Sequence, residues 1–303
     1  MSRLFTRVLD GSVCVYDVAS EGVLEPVARL RAGDKVTGHA VATDLSRVAY
    51  ATLHEVVCVH RDEGELWRYE LLPRSDERYG HSPGCEFSLD GKTVWVYRPD
   101  GVARRGNADR WVVLDAHSGE VVARAELGTT GHIGRHHRHP DGAGFLLDVG
   151  EGQDGALIFR GALAGDGLEL FAYPWLDRCL VDLAPDGRHF MTVCHDQSDV
   201  AFHSYPDGDV ILRLPVPAFG HDPDDAFLEW SGGYLDPGTA VVTVAGETED
   251  EQEWHRHYRI DLGTGGVRER FEAHSTGPYD LELLGDGSWL TSDSDGRPVR
   301  WTR

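Results

Sequence analysis

Short apolar runs of strand length recur along the whole chain, and in several of them apolar residues alternate with residues suited to an opposite face, as at Val13 and Val15 or Val57 and Val59. Asp-Gly turns separate them at intervals of about fifty residues, in Asp90-Gly91, Asp141-Gly142, Asp186-Gly187, Asp236-Pro237-Gly238 and Asp286-Gly287. A second set falls between these, at Ser20-Glu21-Gly22, Glu63-Gly64, Ser118-Gly119, Asp166-Gly167, Asp207-Gly208 and Thr264-Gly265. Two hairpin signals in fixed alternation per repeat predict four-stranded blades arranged as a toroid.

Comparable third strands are expected seven times: 12–17, 55–60, 110–115, 156–160, 199–204, 254–261 and 297–302. The Asp-Gly turns, with a weaker Asp44-Leu45-Ser46, supply only six hairpins between first and second strands. The first repeat therefore lacks its first strand and the last lacks its fourth. The predicted fold is all-β, a seven-bladed propeller closed by pairing of the N- and C-terminal segments, with six blades as the alternative count. Closure places 3–9 near 288–301, with 4–8 either the outer strand of the last blade or the second strand of the first. The longest excursions, 99–109 and 246–253, fall between second and third strands. No linker, low-complexity tract or helical periodicity interrupts the pattern, so 1–303 reads as a single domain.

Composition narrows the classes of partner. A net charge of −22 repels phosphate backbones and anionic headgroups, which argues against nucleic acid and membrane surfaces. The five cysteines match no zinc spacing and sit mostly in strand-like runs, where reduced thiols fill core space. No signal-like or membrane-spanning apolar stretch is present, and a cytoplasmic location is expected. The acids Glu247, Glu249, Asp250, Glu251 and Glu253 read as a solvated hairpin tip.

The last repeat, from Ala273-His274 through Leu281-Glu-Leu-Leu-Gly-Asp-Gly287 and Trp289-Leu-Thr-Ser-Asp-Ser-Asp-Gly296 to Val299-Arg-Trp301, resembles the WD-repeat family of propellers. In that family a Gly-His pair opens the repeat, an Asp-Gly tip joins the second and third strands, and Trp-Asp closes the third. The resemblance implies that His274, Asp295 and Trp301 lock the blade with Ser292 or Thr291. Gly38-His39, Gly80-His81, Gly131-His132 and Gly220-His221 repeat the opening signal, so it also implies structural roles within their own blades for five of the sixteen histidines. The pattern thins in the middle of the chain, where Leu114-Asp115 and Ile260-Asp261 keep only the Asp and His60 and His203 hold the Trp position.

Polar residues on first strands are the candidates for chemistry, because those strands line a propeller's channel. Glu86, His137, Asp182 and Glu282 each stand four residues before the turn Asp, with Glu229 as a fifth, and side chains at that shared position project alike. They are the candidate binding ring, and Glu86, His137, Asp182 and Glu282 are candidate ligands for a divalent cation in the channel. In His132-Ile-Gly-Arg-His-His-Arg-His-Pro140, His136 and Arg138 replace apolar residues of the preceding repeat and need acidic partners such as Asp148, Glu151 or Asp182. His136, His137 and Arg138 are the candidate catalytic group.

Other matches lack their context. Gly150-Glu-Gly-Gln-Asp-Gly155 fits a dinucleotide-loop pattern without a following helix, and reads as a hairpin tip. Two functions follow. The first is a binding or scaffolding module for a protein or peptide, a basic one suiting the charge, with no cofactor. The second is an enzyme with an axial active site, metal-assisted or acid-base, built from the His/Arg/carboxylate cluster.

Overall fold

The computed structural model describes residues 4–32, 35–75, 80–165, 167–248 and 250–302. Arg3, Asp166 and Glu249, which the sequence reading assigned to closure, a turn and a hairpin tip, lie outside the described residues. The fold is an all-β, seven-bladed propeller. Strands belong to two compact units, Met1–Ala19 with Pro26–Trp175, and Ser20–Glu25 with Leu176–Arg303.

The first unit carries four sheets. Blade 1 has three strands, in the order Leu4–Leu9, Ser12–Asp17, Pro26–Arg31. Blade 2 runs Gly38–Val41, Arg47–Ala51, Glu55–His60, Gly64–Glu70, and blade 3 runs Gly84–Phe87, Thr93–Arg98, Arg110–Asp115, Val121–Glu126. Blade 4 runs Ile133–Arg138, Gly144–Gly150, Ala156–Ala164, Gly167–Ala172. In the second unit, blade 5 runs Arg178–Leu183, His189–Cys194, Asp199–Ser204, Val210–Pro215. Blade 6 runs Ala226–Asp236, Thr239–Glu247, Glu253–Asp261, Gly266–Phe271. Blade 7 runs Glu282–Leu283, Ser288–Ser292, Pro298–Thr302 and takes Gly22–Val23 as its fourth strand.

That last pairing closes the ring, with Val23 opposite Val299 and Gly22 opposite Arg300. Of the two places expected for 4–8 the chain takes the second: Leu4–Leu9 is the inner partner of Ser12–Asp17 in blade 1, and the outer strand of blade 7 comes instead from the turn that follows. The Leu24 amide donates to the Pro298 carbonyl at 2.8 Å, extending the seam.

Inner and outer strands differ in pattern for a physical reason. Several second and third strands, with neighbours on both faces, are continuously buried, as at Val13, Cys14, Val15 and Tyr16, all at or below 1% exposed. Outer strands keep one wet face, and Pro26–Arg31 alternates half-buried with exposed. Between blades 3 and 4 the filling is aromatic: Trp95 meets Trp111 edge-on at 5.0 Å and Phe145 at 4.6 Å.

The repeating turns share one chemistry. In each, the Asp carboxylate accepts the amide two residues on: Asp90 from Lys92 (3.1 Å), Asp141 from Ala143 (2.7 Å), Asp186 from Arg188 (3.0 Å), Asp236 from Gly238 (3.0 Å) and Asp286 from Ser288 (3.0 Å). Asp44 does the same for Ser46 at 2.9 Å. Glycine follows because the chain turns left-handed there, with φ of 67° at Gly91 and 71° at Gly187. The five cysteines are reduced, and Cys14, Cys58, Cys85 and Cys194 are buried. Among the described residues, no helix is long and apolar enough to cross a membrane.

Candidate functional site

In the first unit, His136, His137 and Arg138 lie consecutively on the first strand of blade 4, so His136 and Arg138 share one face and His137 takes the other. His136 is held between aromatic rings. Its Nε2 accepts the Trp111 indole N–H at 3.0 Å, and its ring meets Phe145 edge-on at 6.1 Å. Burial, aided by neighbouring His137, pushes this imidazole down to about 3, so it is neutral rather than cationic.

Arg138 reaches back to blade 3, where Glu86 Oε1 lies 3.8 Å from its Nη1. Glu86 also accepts the Phe87 amide at 3.0 Å, and burial raises its carboxyl while Arg138 opposes that rise. The acid facing Arg138 is thus Glu86 and none of the three acids the sequence offered. Glu151 instead caps Thr129 and the Thr130 amide, and Asp148 stands opposite Arg135. Burial, with Arg135 nearby, lowers His137 to about 4.

In the second unit, Asp182 joins two blades through backbone amides. Its Oδ1 accepts Leu183 N–H and its Oδ2 accepts Tyr234 N–H, both at 2.8 Å. A Cβ on Gly233, where φ is +145°, would stand 2.5 Å from that Oδ2. Gly233→Ala should therefore cost about 1–3 kcal/mol, read as a lower urea midpoint. An unchanged midpoint would show that this approach does not constrain the blades.

Glu229 sits in a bulge of the first strand of blade 6, where the register shifts between Leu228 and Gly232. It is buried and accepts the Tyr279 hydroxyl at 2.6 Å, while the Ser231 hydroxyl donates to the Pro278 carbonyl at 2.7 Å. Glu282 is exposed. Among the described residues, no three His, Cys, Asp or Glu side chains gather in a way that could hold a metal ion.

The blade locks expected from the WD-repeat resemblance are present in altered form. The Trp301 indole donates to Thr291 Oγ1 at 2.9 Å, and His274 packs on the Trp301 ring at 4.3 Å. Asp295 takes no part in that pair; its side chain is 72% exposed and pairs with Arg297. In blade 5 His203 replaces the tryptophan and keeps the same diagonal partner, Thr192 Oγ1, at 2.9 Å from its Nε2. Of the opening histidines, His132 contacts the Gly80 carbonyl at 2.8 Å and His221 the Tyr258 hydroxyl at 2.7 Å. His132 thus bonds outside its own blade.

Two features were not legible beforehand. The excursion between Arg98 and Arg110 is a buried ionic plug. Asp100 and Asp109 are fully buried, Arg98 donates to Asp100 at 3.2 Å and to the Tyr69 hydroxyl at 2.7 Å, and Asp109 accepts from the Tyr97 hydroxyl and the Gly101 and Gly131 amides. Burial raises Asp109 to about 6.

The second feature is the pairing, on blade 6, of the acidic hairpin tip read from the sequence with another acidic segment. The exposed acids Asp222, Asp224 and Asp225 precede its first strand, and exposed Glu247, Asp250, Glu251 and Glu253 frame the tip between its second and third strands. A Cβ on Gly246 would lie 2.4 Å from the Asp225 carbonyl, so the two segments are adjacent. Between them lie His221 against Trp254 at 4.9 Å, with Arg256 over the Trp254 ring at 4.8 Å and Phe227 38% exposed.

No protein-family model matches the chain, and no curated protein matches it. Solved structures do resemble it in fold. Dihydro-heme d1 dehydrogenase NirN in complex with DHE aligns over 95% of this chain at 16% identity and a TM-score of 0.58, and the chain spans 58% of the NirN chain. BBS1N in complex with ARL6DN aligns over 99% of this chain and 91% of its own, at 15% identity and a TM-score of 0.57. The WD40 beta propeller domain of Doa1 aligns over 100% of this chain and 94% of its own, at 12% identity and a TM-score of 0.52. Identities this low show the fold alone, which is shared by enzymes and binding proteins.

Proposed function

We propose that this propeller is a binding module for a protein or peptide, and that the segment it takes is basic and docks on the acidic, aromatic rim of blade 6. The observation that carries this reading is the pairing of two exposed acidic segments around Trp254, His221 and Phe227. Lysine and arginine side chains gain there both from the carboxylates and from an indole face, a contact that Arg256 already makes at 4.8 Å. The candidate groups Glu86, Asp182 and Glu229 serve this role indirectly, by fixing strands through Arg138, Tyr234 and Tyr279. Exposed Glu282 adds to the negative field. That field disfavours nucleic acid and anionic membrane surfaces.

Fluorescence anisotropy with a labelled Lys/Arg-rich peptide tests the reading. Binding should be saturable at low salt and weaken steeply as the Debye length shrinks toward about 3 Å near 1 M salt. The quadruple variant Asp222→Lys, Asp224→Lys, Glu251→Lys, Glu253→Lys should lose it without unfolding, because all four side chains are exposed. Equal binding by that variant sinks the assignment to blade 6.

The enzyme alternative rests on Glu86 beside Arg138, a carboxyl raised by burial next to a cation. It requires a turnover that Glu86→Gln abolishes while melting is preserved.

A further inference from the structure

We infer that His255 and His257 of blade 6, with Ser275, form a chelating site for a divalent transition-metal ion of the zinc type. The two histidines are i and i+2 on the third strand, so they share one face. Both present Nε2 to the same atom: the Ser275 hydroxyl oxygen lies 2.7 Å from His257 Nε2 and 3.5 Å from His255 Nε2. Their rings are 5.5 Å apart and inclined at 64°.

The remaining ring nitrogen of His257 decides its tautomer. Nδ1 lies 3.0 Å from Thr243 Oγ1, directly across the strand pair. With Nδ1–H donated to that hydroxyl, the Nε2 lone pair is aimed at Ser275, the orientation that a supporting hydrogen bond gives a metal-binding imidazole.

The donor set selects the ion. Two neutral imidazoles and a hydroxyl suit zinc, nickel or copper, whereas magnesium and calcium want carboxylate oxygens. Arg270 beside His257 opposes a cation, and Glu272, 3.7 Å from the Arg270 Nε, offsets it. Accessibility fits as well. His257 is 5% exposed, but His255 and Ser275 are half-buried and open the site to solvent. With two histidines rather than three, the remaining positions are filled by the hydroxyl and water.

Isothermal titration of the full chain with zinc chloride tests this directly. One equivalent should bind, and His255→Ala should weaken that binding at least tenfold. His255 carries the test because His257→Ala would also break the buried Thr243 contact and could unfold the blade. Thr243→Ser keeps the hydroxyl that orients His257 and should bind zinc within about threefold of the wild type, whereas the isosteric Thr243→Val, its folding checked by melting, should weaken zinc about tenfold through lost orientation of His257. Cobalt(II) should give the visible absorption of a low-symmetry site in the wild type and not in His255→Ala. The absence of saturable zinc binding, or equal binding by His255→Ala, overturns the inference; equal binding would place the ion on other histidines of the chain.

Discussion

Asp199→Ala should destabilise the protein by about 3–5 kcal/mol, because it strips the counter-charge from a buried guanidinium. Arg178 and Asp199 are 6% and 3% exposed, and Arg178 Nη2 lies 2.8 Å from Asp199 Oδ1. Arg213 bonds the other carboxylate oxygen. From Arg178 a directed chain continues: its Nε donates to Thr192 Oγ1 at 2.6 Å, and that hydroxyl donates to His203 Nε2 at 2.9 Å. His203 Nδ1–H then donates to the Gly208 carbonyl at 3.0 Å. The groups form one connected chain, so losing the acid leaves a charge in the core and loosens the hydrogen bonds that hold His203 neutral. Arg213→Ala removes a side chain that is 61% exposed and should cost below about 1 kcal/mol. Urea denaturation of both variants gives the comparison. Equal losses would mean that the buried pair contributes no more than the exposed one.

What could be read beforehand follows from how local each determinant is. Turns were legible because an Asp carboxylate taking the amide two residues on, with Gly left-handed, needs only three adjacent residues, as at Asp90, Gly91 and Lys92. Third strands were legible because burial on both faces leaves runs such as Val13–Tyr16. The closing strand was not, because Gly22–Val23 is two residues long inside what reads as an ordinary turn. Side-chain roles depended on partners far away in sequence. Arg98, Asp100 and Asp109 look like a solvated excursion until Tyr69 and the Gly131 amide are seen to meet them. His136 looks cationic until the Trp111 indole is seen to donate to it. The Asp-Gly tip of blade 7 matches the WD-repeat pattern in spacing, yet Asp295 turns outward to Arg297 while Thr291 and His274 hold Trp301.

The histidines make acid the stronger challenge to this fold. His136 is held near 3, and His137, His203 and His257 near 4, each chiefly by burial. Their folded values lie below the ordinary value of 6.5, so between about pH 6.5 and 4 the unfolded chain binds protons that the folded chain refuses. Their contribution is therefore complete above the unfolded value and is lost as pH falls through the window. Each group gives up about 2 kcal/mol by pH 5, taking 1.36 kcal/mol per pH unit once the unfolded imidazole titrates. Asp109 acts in the opposite sense. Raised to about 6, it binds its proton more tightly when folded and returns about 1 kcal/mol over the same range. Glu86 and Asp100, also raised by burial, oppose the histidines lower in the window. Four groups outweigh one at pH 5, so stability should fall by several kcal/mol between pH 7 and pH 5, a large part of the 5–15 kcal/mol typical of a domain. The urea midpoint measured across that range checks this, and His203→Gln should flatten the slope by about one proton. A midpoint that stays level or rises toward pH 5 would mean that these imidazoles reach solvent in the folded protein.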